Sequence, residues 1–340
     1  MSVGIDVGSK SIKVVELEKK GNSWSLKGSG IVGYSGILVE NAREEKDLVP
    51  LAEIIKKLFN EAKISSREVF LSLPERFAFV KVITFPLLTN QEIDAALKWE
   101  ADQYVPIPLE EAIMQYQVIL RDEKSNPPQV KVLLVATRRS LVEKYVLLAR
   151  LAGLQVLAVE NELLSLSRVL APQEDLSTIV NFGALSTDIG ISKSGKLWFS
   201  RSIPTGGDAL TRAIVQGLRI EPAQAEEYKK AYGLSSTLLE GKVRLAMEPV
   251  MQSLVGEIKK AVQYFVSENP QFGKPKQLIV SGGLTSLPDL IAYLTKEFDM
   301  EILVANPFLQ IQIPAESQKV IVDYAPFYSV AVGLALRENI

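Results

Sequence analysis

The chain has 340 residues, 47% hydrophobic and 23% charged, with 38 basic against 40 acidic side chains and a formal net charge of −2. That length supports two or more domain-sized cores, and the near-neutral balance gives no sign of broad affinity for nucleic acid or acidic membrane surfaces. With no cysteine and no histidine, disulfides, thiol nucleophiles, iron–sulfur and zinc–thiolate sites are excluded, and any chemistry falls to carboxylates, lysines, hydroxyls or bound ions.

The N-terminus runs directly into a strand, without a basic segment followed by an apolar run. No stretch reaches the roughly 18 to 20 apolar residues that span a bilayer. A cytoplasmic chain is expected, peripheral to a membrane only through a partner. Residues 3–5, 12–17 and 24–34 read as a strand meander punctuated by Gly21, Gly28, Gly30 and Gly33. The first turn of that meander carries Asp6, Gly8, Ser9, Lys10, Ser11 and Lys13. Backbone N–H groups in a glycine turn form an anion-binding concavity, hydroxyls and ammonium groups add donors, and Asp6 can hold the hydration shell of a metal. Taken singly, such a turn more often reads as an ordinary hairpin.

Apolar residues at Leu48, Leu51, Ala52, Ile55, Leu58, Phe59 and Ala62 recur at helical spacing, and residues 69–73 form a short apolar strand ended by Pro74. From residue 79 the texture changes. A strand over 79–85 precedes a helix over 90–104, opened by a Thr89-x-x-Glu92 capping box, then strands near 116–120 and 130–136 and a helix over 140–153. This alternation predicts a compact insert over residues 81–159. Within it, Ile93, Leu97, Trp99 and Tyr104 are expected in the core.

The second half opens like the first. Residues 178–191 again give strand, glycine turn with hydroxyls, and strand, about 175 residues further on, with Asn181, Gly183 and Asp188 in and around the turn. Two such units can clamp a polyphosphate between two lobes. An amphipathic helix over 242–267 is expected to pack inside the second lobe. Gly282 and Gly283 follow the apolar strand 277–280; by themselves they mark only a strand-to-helix turn.

Together, the glycine turns and the apolar terminal helix around Ala331–Leu336, in that order, resemble the actin, heat-shock-70 and sugar-kinase ATPase superfamily over essentially the whole length. The insert around 80–159 is similar to that of FtsA and PilM. The opening residues 4–13, the Tyr104-Val105-Pro106 segment and the 323–327 ending resemble the PilM family of type IV pilus assembly proteins more closely. The resemblance implies an α/β, actin-like (ribonuclease H-like) two-lobed ATPase fold with an FtsA-type inserted subdomain. It divides the chain into a first-lobe core 1–80, the insert 81–159, a second-lobe start 160–206, a helical subdomain 207–272, and a second-lobe core with returning helix 273–340.

The resemblance also implies ATP or ADP and Mg²⁺ as ligands. Gly8, Ser9, Lys10, Ser11 and Lys13 would meet one side of the phosphates and Asn181 and Gly183 the other. Gly206 and Gly207 match the family's glycines near the nucleotide. Glu226 and Lys229 match its ribose and adenine helix, although the pair also reads as solvated surface charge. Gly282 and Gly283 would flank the adenosine, and Asp6 would hold magnesium through water. The family usually has Asp where this chain has Asn181, a poorer organiser of hydrated magnesium. Asp6, Asp188, Glu160 and Glu162 remain to orient water, so weak or absent hydrolysis is expected. The implied role is a cytoplasmic adaptor at the inner membrane that binds the N-terminal tail of PilN and links the platform to pilus motor ATPases. A polymerising FtsA-like protein, with self-association, and a small-metabolite kinase are the alternatives.

Overall fold

The computed structural model describes residues 1–171 and 175–337. In chain order the first part comprises β1 (Ser2–Val7), β2 (Ser11–Lys20), β3 (Ser23–Gly33), α1 (Glu45–Glu61), β4 (Glu68–Leu73), β5 (Phe79–Pro86), α2 (Asn90–Tyr104), β6 (Ala112–Asp122), β7 (Gln129–Arg138), α3 (Arg139–Leu151), β8 (Gln155–Asn161) and α4 (Glu162–Leu170). The second comprises β9 (Ser177–Phe182), β10 (Thr187–Lys193), β11 (Lys196–Ile203), α5 (Gly207–Leu218), α6 (Pro222–Tyr232), α7 (Lys242–Glu268), β12 (Gln277–Gly282), α8 (Leu290–Glu297), β13 (Glu301–Val304), β14 (Ile311–Gln312), α9 (Ala315–Tyr324) and α10 (Ser329–Ala335).

The duplication expected from the sequence is visible in strand order. One sheet runs β14-β3-β2-β1-β4-β8 and the other β11-β10-β9-β12-β13. In each, an antiparallel three-strand meander is followed by parallel strands on the far side of its first strand. The central strands β1 and β9 are almost wholly buried, as strands covered on both faces must be, which explains their continuous apolar runs. Each sheet has its own core. In the first lobe α1 and α3 bring Leu51, Ile55, Phe59, Tyr145 and Leu148 onto the sheet. In the second α5, α7 and α8 bring Leu210, Ile214, Met247, Met251 and Leu294. The long α7 thus packs within the second lobe, though Leu245 on it is exposed.

Between the lobes lie α4 and α10, and two glycines permit the close packing there, Gly4 of β1 against α10 and Gly333 of α10 against α4. A Cβ on Gly4 would stand 2.0 Å from the Ala331 carbonyl oxygen, and one on Gly333 would stand 2.2 Å from that of Ser165. Both neighbours are backbone, which cannot swing aside as a side-chain tip would.

The insert is a third sheet, β5-β7-β6, with α2 on one face and the core Ile83, Phe85, Ile93, Leu97, Val130 and Leu134 between them. Its helix begins as expected: the Thr89 hydroxyl accepts from Glu92 N–H at 3.4 Å and Thr89 N–H donates to the Glu92 carboxylate at 2.7 Å. Two expectations need correction. The boundary at residue 159 is too late, since α3 packs in the first-lobe core and β8 pairs in parallel with β4; the third sheet ends at Arg138. A helix–strand unit after an insert looks the same in sequence whichever sheet it joins. Trp99 is not a core residue but 85% exposed. Two residues on from Leu97, Trp99 lies about 200° round the helix, so while Ile93, Leu97 and Ala101 face the sheet it points to the opposite side.

Candidate functional site

The two glycine turns face each other across a cleft of about 870 Å³ between the lobes. They are built alike. Gly8 N–H donates to the Ser11 carbonyl at 3.1 Å, and Gly183 N–H donates to that of Ser186 at 2.9 Å. A Cβ on either glycine would stand 2.9 Å from that same carbonyl oxygen, so a side chain at either position would force the turn open. The second turn is also tied to the start of α5, where Gly207 N–H donates to Gly183 O at 3.0 Å and Asp208 N–H to Ala184 O at 2.9 Å.

Strand pairing explains the departure at Asn181. In the first lobe Asp6 sits opposite Lys13 on the β1–β2 ladder. In the second lobe Asn181 occupies the place of Asp6, and Asp188 stands opposite it, in the place of Lys13. The carboxylate missing from one strand is thus supplied by the neighbouring one. Asp6 accepts from the Ser72 hydroxyl at 3.0 Å and pairs with Lys13 at 3.2 Å. Asp188 accepts from Ser202 at 2.5 Å and from Ser186 at 3.3 Å. Across the cleft, Lys10 of the first turn pairs with Asp208 of α5 at 3.2 Å.

The other end of the cleft is less polar. Gly282, in the left-handed region at φ +86°, and Gly283 turn the chain out of β12 beside Leu284, Pro326 and Phe327. Lys229, buried in α6, donates to Glu226 at 2.6 Å, to Thr211 at 2.8 Å and to the Gly207 carbonyl at 3.0 Å. Burial opposes ionisation of Glu226, but hydrogen bonds from Lys229 and Thr211 outweigh it and hold its carboxyl below the ordinary value. The pair is therefore part of a network in the cleft wall rather than an isolated surface contact.

Carboxylates crowd the floor. Burial, reinforced by the charges of Asp188 and Asp6, raises the Glu162 carboxyl well above the ordinary value. Burial also raises Asp188, against the hydrogen bonds from Ser202 and Ser186. Glu162 is the first residue of α4 and lines the cleft with Lys13 and Arg76. In both acids burial works against the charged form, which nearby cationic charge would favour.

Most residues singled out from the sequence converge here. Asp6, Gly8, Ser9, Lys10, Ser11 and Lys13 line one wall, and Asn181, Gly183, Asp188, Gly207, Glu226, Lys229, Gly282 and Gly283 line the other. Two do not. Gly206 lies behind the second turn, where a Cβ would be 2.6 Å from the Gly183 carbonyl oxygen, so it supports the turn without lining the cleft. Glu160 pairs with Arg168 at 2.5 Å and with Arg337 at 3.9 Å, neutralised at the lobe junction. Sequence reading overlooked Arg76, Thr211 and Arg212, which line the cleft; no local motif marks them, because the tertiary fold alone brings them in.

Comparison with known proteins agrees with this geometry. The family model described as type IV pilus assembly protein PilM matches residues 4–339. The cell division protein FtsA of Bacillus subtilis (strain 168) is 22% identical over 352 residues, covering 90% of this chain and 78% of that protein. A solved PilM-PilN type IV pilus biogenesis complex superposes with a TM-score of 0.84 at 24% identity, over 99% of this chain and 98% of the other. MreB5 of Spiroplasma citri bound to AMPPNP superposes with a TM-score of 0.54 at 12% identity, over 97% and 93% of the two chains. The fold is that of the actin-like ATPases.

Proposed function

The chain belongs to the type IV pilus assembly protein PilM family, and from that premise we propose that it is a nucleotide-binding adaptor of type IV pilus assembly. Its partner is the N-terminal cytoplasmic tail of PilN, through which it is held at the inner membrane and linked to the pilus motor ATPases. The observation that carries the nucleotide reading is the matched pair of glycine turns facing one cleft. A volume of about 870 Å³ is ample for a nucleoside triphosphate, given that ligand sites run from about 300 to 1,000 Å³. The PilN reading is supported by the likeness to the PilM-PilN complex. Among the described residues no helix is long and apolar enough to cross a membrane, consistent with attachment through a partner.

In this reading the turn N–H groups of Ser9, Lys10, Ala184 and Leu185 face the phosphates, and Lys13 supplies a half-buried cation. Phe327 and Leu284 flank the base, and Glu226 is available to the ribose. Asp6 offers hard carboxylate oxygen at the strand end, the donor type Mg²⁺ takes when it is shared with phosphates. Bound with the nucleotide, Mg²⁺ would offset phosphate charge. Asn181 cannot take a proton, and burial opposes the ionised form of Glu162; hydrolysis is therefore slow or absent. Calorimetry with Mg-ATP on the wild type and Lys13→Ala, with phosphate release followed in parallel, tests this. Binding weakened at least about tenfold in the variant, with negligible release, is expected. No binding by the wild type overturns the nucleotide reading, and brisk release overturns the adaptor reading in favour of an ATPase.

A further inference from the structure

The short 3-10 turn Glu75–Phe77 joins β4 to the insert, and its three residues reach three different parts of the molecule. Arg76 lines the cleft. The Phe77 carbonyl accepts from the Thr137 hydroxyl of β7 at 3.0 Å, fixing the turn to the insert sheet. Glu75, 2% exposed, accepts through one oxygen from the Ser200 hydroxyl of β11 and through the other from Leu163 N–H, in the first turn of α4, at 3.3 Å. The next residue on the same face of β11 is Ser202, which donates to Asp188 in the cleft. One strand of the second lobe therefore grips a cleft carboxylate and the turn that carries the insert.

We propose that this turn couples occupancy of the cleft to the insert, with Glu75 as the positioning residue that holds β11 and α4 onto it. The proposal rests on the nucleotide reading above and adds how that site communicates. Phosphate charge at Arg76 acts on the turn itself, and cationic charge at Asp188 acts on it through β11. Asp188 moves with Ser202 on β11, β11 carries Ser200, and Glu75 passes the displacement to a turn whose carbonyl is bonded to β7. Glu75 needs no charge for this role. Its surroundings favour the neutral acid: burial first, then the neighbouring Asp188, push its carboxyl up to about 8. With the acid neutral, its O–H donates to the Ser200 oxygen, the hydroxyl turning to accept, while its carbonyl keeps Leu163 N–H, so a neutral side chain with one donor and one acceptor can replace it. If nucleotide alters the insert, whatever binds the insert must alter nucleotide affinity by the same factor.

Hydrogen–deuterium exchange with and without Mg-AMPPNP tests the coupling on the full chain. In the wild type, AMPPNP should protect the two phosphate turns and also residues 79–86 and 196–203. In Glu75→Ala the turns should remain protected, while exchange at 79–86 and 196–203 in the AMPPNP state rises roughly tenfold, the effect of one lost buried hydrogen bond. Glu75→Gln should restore wild-type protection. Ser200→Ala removes the same contact from the other lobe with little change of volume and should repeat the Glu75→Ala pattern even if that variant folds poorly. Protection of 79–86 and 196–203 that survives in Ser200→Ala and Glu75→Ala overturns the coupling and leaves the nucleotide reading intact. A Glu75→Gln variant that behaves like Glu75→Ala overturns the neutral-acid role. No protection of the turns in the wild type overturns the nucleotide reading itself, and the coupling with it.

Discussion

Glu75→Gln should make the protein more stable at neutral pH and leave it unchanged in mild acid. Glutamine preserves both contacts, because its carbonyl can accept from Leu163 N–H and its amide can donate to the Ser200 hydroxyl. What changes is proton linkage. In the fold the Glu75 carboxyl is pushed up to about 8 from the ordinary 4.5, chiefly by burial. A group protonated in the fold but ionised in the unfolded chain contributes its full stability below pH 4.5. That contribution falls as pH rises and is gone above about pH 8. At pH 7, 2.5 pH units above 4.5, the wild type has lost about 3 kcal/mol of it at about 1.4 kcal/mol per unit. Glutamine, with no proton to lose, keeps it. For a chain of 340 residues, unfolding entropy of about 2 cal/mol/K per residue converts 3 kcal/mol into a rise in Tm of roughly 4 °C. Scanning calorimetry of both proteins from pH 4.5 to 8.5 reads the difference directly, since groups common to both cancel. The gap should open steadily across that range and level off above about pH 8. A gap that does not change with pH, or a glutamine variant less stable throughout, would falsify the picture of a buried neutral acid.

The tight packing of α10 against β1 and α4 gives a second test. Gly4→Ala and Gly333→Ala each drive a methyl group into a backbone carbonyl, and each should cost about 3 kcal/mol or more, beyond usual overpacking because backbone must move; chemical denaturation measures it. Thr89→Ala removes the cap of α2 and should cost about 1 kcal/mol. Exchange should speed up within residues 90–104 while Mg-ATP affinity measured by calorimetry stays the same. Asn181→Asp adds a carboxylate directly across the ladder from Asp188. The added negative charge facing the phosphates should weaken ADP binding without Mg²⁺ by roughly tenfold and steepen its dependence on Mg²⁺, as titration calorimetry at several Mg²⁺ concentrations would show. An unchanged Mg²⁺ dependence would mean that position 181 does not face the phosphates.

Much of the architecture was legible in the chain because it rests on local rules. Continuous apolar runs in β1 and β9 marked buried strands, 3.6-residue spacing marked α1 and α7, and the Thr89–Glu92 box marked the start of α2. The glycine turns could be read for the same reason: Gly8 and Gly183 are demanded by hydrogen bonds that span only three residues. The tertiary structure alone decided what depends on distant partners. Sheet pairing put β8 into the first lobe and ended the third sheet at Arg138. Helix orientation turned Trp99 outward. Cross-ladder pairing placed Asp188 directly opposite Asn181, and an ion pair removed Glu160 from the cleft. Glu75 was invisible to any motif, since its two partners lie 88 and 125 residues away. A carboxylate in sequence is only a charge; burial between lobes brought together by the whole fold makes it a neutral strut, because desolvation acts on a group's complete surroundings and not on its neighbours along the chain.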